Sequence, residues 1–225
     1  MQHQMEVIVA PRRLVYQQGD HICTLYTSPE EQLQAAVEYI KAGLARGEQC
    51  LYVCGEHTPQ ELRATLRKAG VKVGKEEARG ALSLVTKSEA HLKDGHFKPS
   101  NMISFLHQAV KDALDAGFNG LCAAGDMGWV TDGVPGTEDM AEYESCLNDF
   151  YANHRALGLC QYNRKSLPPE FLDHCIATHR FVRIDGPIAL ENPFYEEPKR
   201  ATGRQPASHA ETRQKIQAIF EQIPA

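Results

Sequence analysis

The chain has 225 residues, a formal net charge of −5 and a hydrophobic fraction of 42%. This composition suits one large α/β domain or two small ones, each with a sizeable apolar core. No apolar run approaches the ~18 residues that span a membrane, and residues 1–13 lack the pattern of a secretion signal, so we expect a cytoplasmic protein. The mild negative charge, without a basic block, argues against direct contact with nucleic acid. The seven cysteines include no CxxC pair, which favours buried, reduced thiols.

Short apolar runs alternate with helical patterns along the first four fifths of the chain. The predicted strands are residues 21–26, 49–56, 81–86, 120–127, 158–163 and, at the sheet edge, 181–185. The predicted helices between and after them are residues 29–46, 59–69, 100–116, 137–156 and 168–178. Ser28 and Thr58 are each followed directly by a proline and, two residues after that proline, by a glutamate. This is the pattern of a capped helix start. Because the strands are continuously apolar, we expect a mostly parallel sheet with helices on both faces.

The end of the chain has a different pattern. Residues 196–208 are polar and contain proline and glycine, which predicts a linker. Ser208 and Glu211 then predict a helix start, and one face of that helix is apolar: Ile216, Ile219, Phe220 and Ile223. We therefore divide the chain into a domain over residues 1–198 and a linker with an amphipathic helix over residues 199–225. The apolar face of this helix either packs on its own domain or docks on a regulatory partner or a second copy of the chain.

Ligands of open parallel sheets bind outside the carboxyl ends of the strands. Acidic, imidazole, aromatic and guanidinium groups in or after the predicted strands suit a pocket with an aromatic wall and a few polar anchors. These candidate ligand-binding residues are His21, Cys23, Glu56, His57, Asp126, Trp129, Tyr162 and Arg164. Several have a structural alternative: Asp126 as a turn residue, Trp129 as a core side chain, and Arg164 as the ion-pair partner of Glu144 or Asp126.

The turn after the first strand is not a phosphate-binding loop. It contains Thr27, Ser28, Pro29 and two acidic residues, where a phosphate loop has several glycines and a lysine. Carboxylates at a helix start repel a phosphate. The sequence also contains no G-x-S-x-G nucleophile elbow, and a thiol in mid-strand has no helix N-terminus to lower its pKa. We therefore expect neither enzymatic activity nor a cofactor.

His21 and Cys23 form the pair with the strongest potential for metal or redox chemistry. They are two residues apart in a predicted strand, so their side chains face the same side. An imidazole and a thiolate can ligate a borderline metal with help from Cys54, His57 or Asp126. A metal or thiol-redox sensor centred on the pair is therefore one hypothesis. Contact with a ligand without any metal, and a purely structural role in the core, are the others.

Seven segments, in order, resemble the MEDS domain, a sensory domain described in methanogens, methylotrophs and a dichloromethane-responsive regulator. They are GDHICTLYTSPEEQ (19–32), LYVCGEHTPQEL (51–62), GDMGW (125–129), YESCLN (143–148), LCQYNRKSLPPEFL (159–172), IATHR (176–180) and NPFY (192–195). Arg180 departs from the proline that the family pattern would place after the Thr-His pair.

The resemblance implies a three-layer RecA-like fold that is similar to the circadian-clock ATPases but lacks their phosphate loop. By that likeness Glu56 stands near the catalytic-carboxylate position and Asp126 near the metal-carboxylate position. The implied role is non-enzymatic sensing of a small apolar ligand, hydrocarbon-like or one-carbon, that signals to a transcription or kinase partner. A degenerate nucleotide-binding domain that retains these two carboxylates is the remaining alternative.

Overall fold

The computed structural model describes residues 17–93, 95–184, 189–196 and 209–221. Its strands are β1 (His21–Tyr26), β2 (Gln49–Cys54), β3 (Leu82–Thr86), β4 (Leu121–Asp126), β5 (Ala156–Asn163), β6 (Phe181–Ile184) and β7 (Ala189–Glu191). Its helices are α1 (Pro29–Ala45), α2 (Pro59–Lys68), α3 (Val73–Ala78), α4 (Pro99–Asp115), α5 (Met140–Asn153), α6 (Pro169–Thr178) and α7 (His209–Phe220). Parts of the sequence predictions lie outside the described residues: residues 1–16, Asp185, residues 197–208 and Ile223.

The strands form one sheet in the order β3-β2-β4-β5-β1-β6-β7. All neighbouring strands are parallel except β6 and β7, which pair antiparallel. This confirms the predicted mostly parallel sheet. β6 pairs with β1 on one side and β7 on the other, so it is not the edge strand that we expected. The short strand β7 and the short helix α3 were not predicted.

Helices cover both faces of the sheet and give the three layers. One apolar core contains side chains of α4, α5, α6 and α7, and the other contains side chains of α1, α2 and α3. Alternate residues of a strand point to opposite cores: Ile22 belongs to the α1 side and Cys23 to the α4–α5 side. This explains why the strands are apolar at nearly every position.

The predicted helix starts at Ser28 and Thr58 are present. The Thr58 hydroxyl accepts from the Glu61 backbone N–H at 3.2 Å, and the Glu61 carboxylate accepts from the Thr58 N–H at 2.8 Å. At α1, the Ser28 hydroxyl accepts from the N–H of Glu31, and the Glu31 carboxylate accepts from the Thr27 N–H at 2.7 Å and from its hydroxyl. The first turn of α1 is therefore closed by its own side chains.

The C-terminal helix α7 packs against α6 of its own domain. Ile219 is fully buried, and the Thr212 hydroxyl donates to the carbonyl of Pro169 at 3.3 Å. The Lys215 ammonium forms an ion pair with the buried carboxylate of Asp173. Ile216 and Ile219, two residues of the apolar face that the sequence indicates, thus pack on the core of this chain. None of the helices in the described part of the chain has the length and apolarity needed to cross a bilayer.

Candidate functional site

A small cavity lies between the central strands and the helices α4 and α5. Its volume is about 20 Å³, which is room for about one water-sized molecule. Its walls are almost all buried residues of the α4–α5 core. They include Val53, Met102, Leu106, Ala123, Gly125, Met127, Leu147, His91, Tyr143, Tyr151 and Cys160. The cavity is therefore an apolar space with a few polar side chains around it.

An aromatic cluster adjoins this cavity through His91. The ring of His91 lies 5.1 Å from that of Trp129 and 6.4 Å from that of Tyr143, and Phe97 lies 5.3 Å from Trp129. Burial lowers the pKa of His91 to about 3, so its imidazole is neutral at physiological pH. His91 Nδ1 and Trp129 Nε1 are buried and form no hydrogen bond with the residues that the structure describes. Trp129 is thus a buried core side chain and not an exposed lid.

A second group of side chains lies at the amino-terminal end of β1. It contains His21 of β1, Glu144 of α5, Cys160 of β5 and His179 directly after α6, and we call it the His-Glu-Cys cluster. One potential ligand atom from each residue lies within 4.8 Å of all the others. All four residues are buried. They come from four different elements, so only the tertiary fold brings them together.

The contacts within the His-Glu-Cys cluster are close. His21 Nε2 lies 3.5 Å from Glu144 Oε2 and 3.4 Å from Cys160 Sγ. His179 Nε2 lies 3.3 Å from the same Glu144 oxygen. The other oxygen of Glu144 accepts a hydrogen bond from the Tyr162 hydroxyl at 2.5 Å. Glu144 therefore has one anchored oxygen and one that faces two imidazoles.

Burial shifts the pKa of each group in the cluster in the direction that favours its neutral form. It raises the pKa of Glu144 to about 8, although the Tyr162 hydrogen bond opposes the shift. Burial lowers the pKa of His21 to about 4, against the effect of its bond to Asn148, and lowers that of His179 well below its usual range. Burial also raises the pKa of the Cys160 thiol. A protein interior tolerates these groups only as a neutral or charge-balanced set.

Asp126 lies at the carboxyl end of β4 and is fully buried. Its carboxylate accepts from the Glu56 N–H at 2.5 Å, the Gly128 N–H at 3.0 Å and the Tyr26 hydroxyl at 3.3 Å. The Glu56 side chain covers Gly128, where an added Cβ would lie 2.6 Å from Glu56 Oε1. Asp126 therefore ties the ends of three strands together.

The other predicted site residues lie elsewhere. The His57 side chain is half-buried, 4.0 Å from Glu61. Arg164 lines a surface groove of about 620 Å³ together with Thr27 and residues of α7. Cys23 is buried on the same face of β1 as His21, but the thiol that joins His21 in the cluster is Cys160.

The eight predicted residues therefore do not share one pocket. His21 and Tyr162 meet at the His-Glu-Cys cluster, Glu56 and Asp126 meet at the β4 turn, and Trp129 packs on His91.

Four residues with functional potential were not among the predicted site residues: His91, Glu144, Cys160 and His179. One signal was present in the sequence. Glu144 and Asn148 lie one helical turn apart on α5, which places a carboxyl and an amide on the same face as the apolar Leu147 and Tyr151. His179 follows Thr178 in the segment IATHR, one of the seven that carry the family resemblance.

The strand order and the self-capped turn after β1 define the class: a RecA-like α/β fold without a phosphate loop. A family model described as the methanogen/methylotroph, DcmR sensory domain (MEDS) matches residues 20–180. The chain therefore belongs to the MEDS domain family, which supports a sensory role. No curated protein matches the sequence.

Among solved structures, the chain is similar to a KaiC-like protein from the hyperthermophilic archaeon Pyrococcus horikoshii OT3. The two chains share 16% identity with a TM-score of 0.52, over 74% of this chain and 71% of the other. This likeness confirms the RecA-like and KaiC-like fold.

Proposed function

We propose that this chain is a non-enzymatic sensory domain that binds a small apolar compound, hydrocarbon-like or one-carbon, in the cavity between the sheet and α4–α5. The cavity carries the proposal. Its volume of about 20 Å³ selects for very small ligands, and its apolar walls select against charged ones. Family membership supports the sensory role independently of the cavity.

The position of the cavity suits a sensor. Its walls include Tyr143, Leu147 and Tyr151 of α5, and α5 packs on α6, which in turn carries α7. Interiors are close-packed, so a ligand that enlarges the cavity shifts the helix that borders it. We propose that this shift reaches a transcription-regulating or kinase partner, or a second copy of the chain, through the surface formed by α6 and α7.

Two alternatives have less support. A nucleotide phosphate at the start of α1 would face the carboxylate of Glu31, which already occupies the Thr27 N–H and hydroxyl. A thiol-redox sensor needs a reactive thiolate, but burial raises the pKa values of Cys23 and Cys160. We therefore expect no heat of binding with ATP and magnesium, and no reaction of these two thiols in the folded chain.

The proposal is tested by filling the cavity. Gly125 lines it, and a Cβ at this position would make ordinary contacts of 3.5 Å with His91 and 3.6 Å with Met127. Gly125→Ala therefore adds one methyl group beside the cavity at little steric cost. The matched control is Gly74→Ala in α3, where an added Cβ meets no atom within 4 Å.

We expect one-carbon and halogenated one-carbon compounds to raise the melting temperature of the natural chain and to change the fluorescence of Trp129. At a ligand concentration of about one hundred times Kd the added stability is about 2.7 kcal/mol. Gly125→Ala should lose most of this response and Gly74→Ala should retain it. The proposal fails if a broad panel of small apolar compounds gives no response, or if both variants respond like the natural chain.

A further inference from the structure

We propose that the His-Glu-Cys cluster binds one divalent transition-metal ion of the zinc type through His21, Glu144, Cys160 and His179. The proposal goes beyond the sensory role and does not depend on the cavity being a ligand site. It replaces the pairing of His21 with Cys23 by a set of four residues that the folded chain brings together.

Three of the six separations between the ligand atoms match those of a tetrahedral site, and the other three are at most 4.8 Å. With metal–nitrogen and metal–oxygen distances of about 2.0–2.2 Å and a metal–sulfur distance of about 2.3 Å, neighbouring ligand atoms lie about 3.3–3.6 Å apart. The observed separations are 3.3 Å from His179 to Glu144, 3.5 Å from His21 to Glu144 and 3.4 Å from His21 to Cys160. Glu144 Oε2 and His179 Nε2 are buried at 3.3 Å without forming a hydrogen bond with any described residue.

The surrounding hydrogen bonds orient both imidazoles for ligation. The Asn148 amide group donates to the carbonyl of Thr178 at 2.7 Å, so its oxygen faces His21 and accepts from Nδ1 at 3.0 Å. His179 Nδ1 donates to the carbonyl of Cys175 at 2.6 Å. Both Nε2 atoms are therefore left with a lone pair directed at the cluster. This is the arrangement in which outer hydrogen bonds hold metal-binding histidines.

Tyr162 completes the outer shell, because its hydroxyl anchors one oxygen of Glu144 and leaves the other to ligate. The charges also balance. Ligation replaces the proton of the Cys160 thiol and the proton of the Glu144 carboxyl group, so two protons leave and one divalent cation enters. The resulting centre is neutral, as a dry interior requires.

Four protein ligands fill a tetrahedral shell and leave no position for a substrate. Closed sites of this kind have structural or regulatory roles, whereas catalytic zinc sites keep an open position. The site thus fits a sensor better than an enzyme. Because all four residues are buried, metal enters as the chain folds.

The test uses the full chain, unfolded with a chelator and refolded with Zn²⁺ or Co²⁺. We expect about one metal per chain by elemental analysis after gel filtration, and a thiolate-to-cobalt charge-transfer band in the near ultraviolet. Cys160→Ser should lose that band, whereas Cys54→Ser, which removes another buried thiol, should retain it. Tyr162→Phe should weaken zinc binding about 10- to 100-fold, because it releases the anchored oxygen of Glu144.

A chain that refolds without retaining either metal overturns the proposal, as does a cobalt-loaded natural chain that lacks the thiolate band. The second outcome decides the matter even if Cys160→Ser does not fold. Identical spectra of the Cys160→Ser and Cys54→Ser variants also overturn it. Metal retention is measured without any small apolar compound, so its result and the result of the cavity test are independent.

Discussion

Removal of the Asp126 carboxylate tests whether this residue is a structural acceptor or a functional carboxylate. Its oxygens accept hydrogen bonds from the N–H groups of Glu56 and Gly128 and from the hydroxyl of Tyr26. These three donors belong to the turn after β2, the turn after β4 and the end of β1. Asp126→Ala removes the acceptor and leaves the three donors in place. The loss in the free energy of unfolding therefore depends on how well water can replace the carboxylate at each donor.

The magnitude can be worked from the burial of each donor. The hydrogen bonds to Gly128 and Tyr26 are buried, and each donor left without a partner costs about 1–3 kcal/mol. The Glu56 N–H is only partly buried, so water compensates part of its loss. We therefore expect Asp126→Ala to lower the free energy of unfolding by about 3–6 kcal/mol. Asp126→Asn keeps the shape and one oxygen, and should cost less.

Urea unfolding, followed by circular dichroism and fitted with a common slope, measures this difference. The matched control is Asp132→Ala in the same loop. Asp132 is 48% exposed and pairs with Lys87 at the surface, so we expect a change of less than about 1 kcal/mol. A loss of less than about 1 kcal/mol for Asp126→Ala, or one equal to that of the control, would refute the assignment of Asp126 as a strand-end anchor.

Two further predictions concern charge. Burial lowers the pKa of His91 from 6.5 to about 3. Between about pH 6.5 and about pH 3 the unfolded chain therefore binds a proton that the folded chain does not, and the free energy of unfolding falls by about 1.4 kcal/mol for each unit by which the pH is lowered. His91→Leu should show an acid dependence of unfolding that is shallower by about this slope; equal slopes contradict the assignment. Lys215→Ala removes the ammonium from the fully buried Asp173, and urea unfolding should show a loss of about 3 kcal/mol. Lys111→Ala, which breaks an exposed pair, should leave the free energy of unfolding unchanged. Equal losses of stability in the two variants would contradict a stabilising role of the buried pair.

The fold was predictable because its signals are local. Each long strand is a continuous apolar run, and two helix starts carry a cap followed by a proline and a glutamate. The missed elements lack such signals. α3 has six residues, and no side chain caps its first turn. β7 has three residues and is defined by its pairing with β6, which depends on the folded chain.

The candidate site was less predictable because its parts are distant in sequence. The rule of ligands at carboxyl strand ends was applied to His21, but His21 is the first residue of β1 and so lies at the opposite end of the sheet from Asp126. The sequence prediction paired His21 with Cys23, whereas the thiol that lies 3.4 Å from His21 Nε2 is that of Cys160 on the neighbouring strand β5. Sequence spacing cannot reveal which residues of α5 and β5 face a given residue of β1.

The cavity and the His-Glu-Cys cluster are structurally connected, so we expect a change at one site to be transmitted to the other. Cys160 belongs to both, and α5 supplies Tyr143 and Tyr151 to the cavity and Glu144 to the cluster. The start of α1 is closed by Glu31, whose carboxylate accepts from the Thr27 N–H. If both sites are occupied, a ligand that displaces α5 changes the position of Glu144. If that movement changes the affinity for the metal by some factor, then metal binding changes the affinity for the ligand by the same factor.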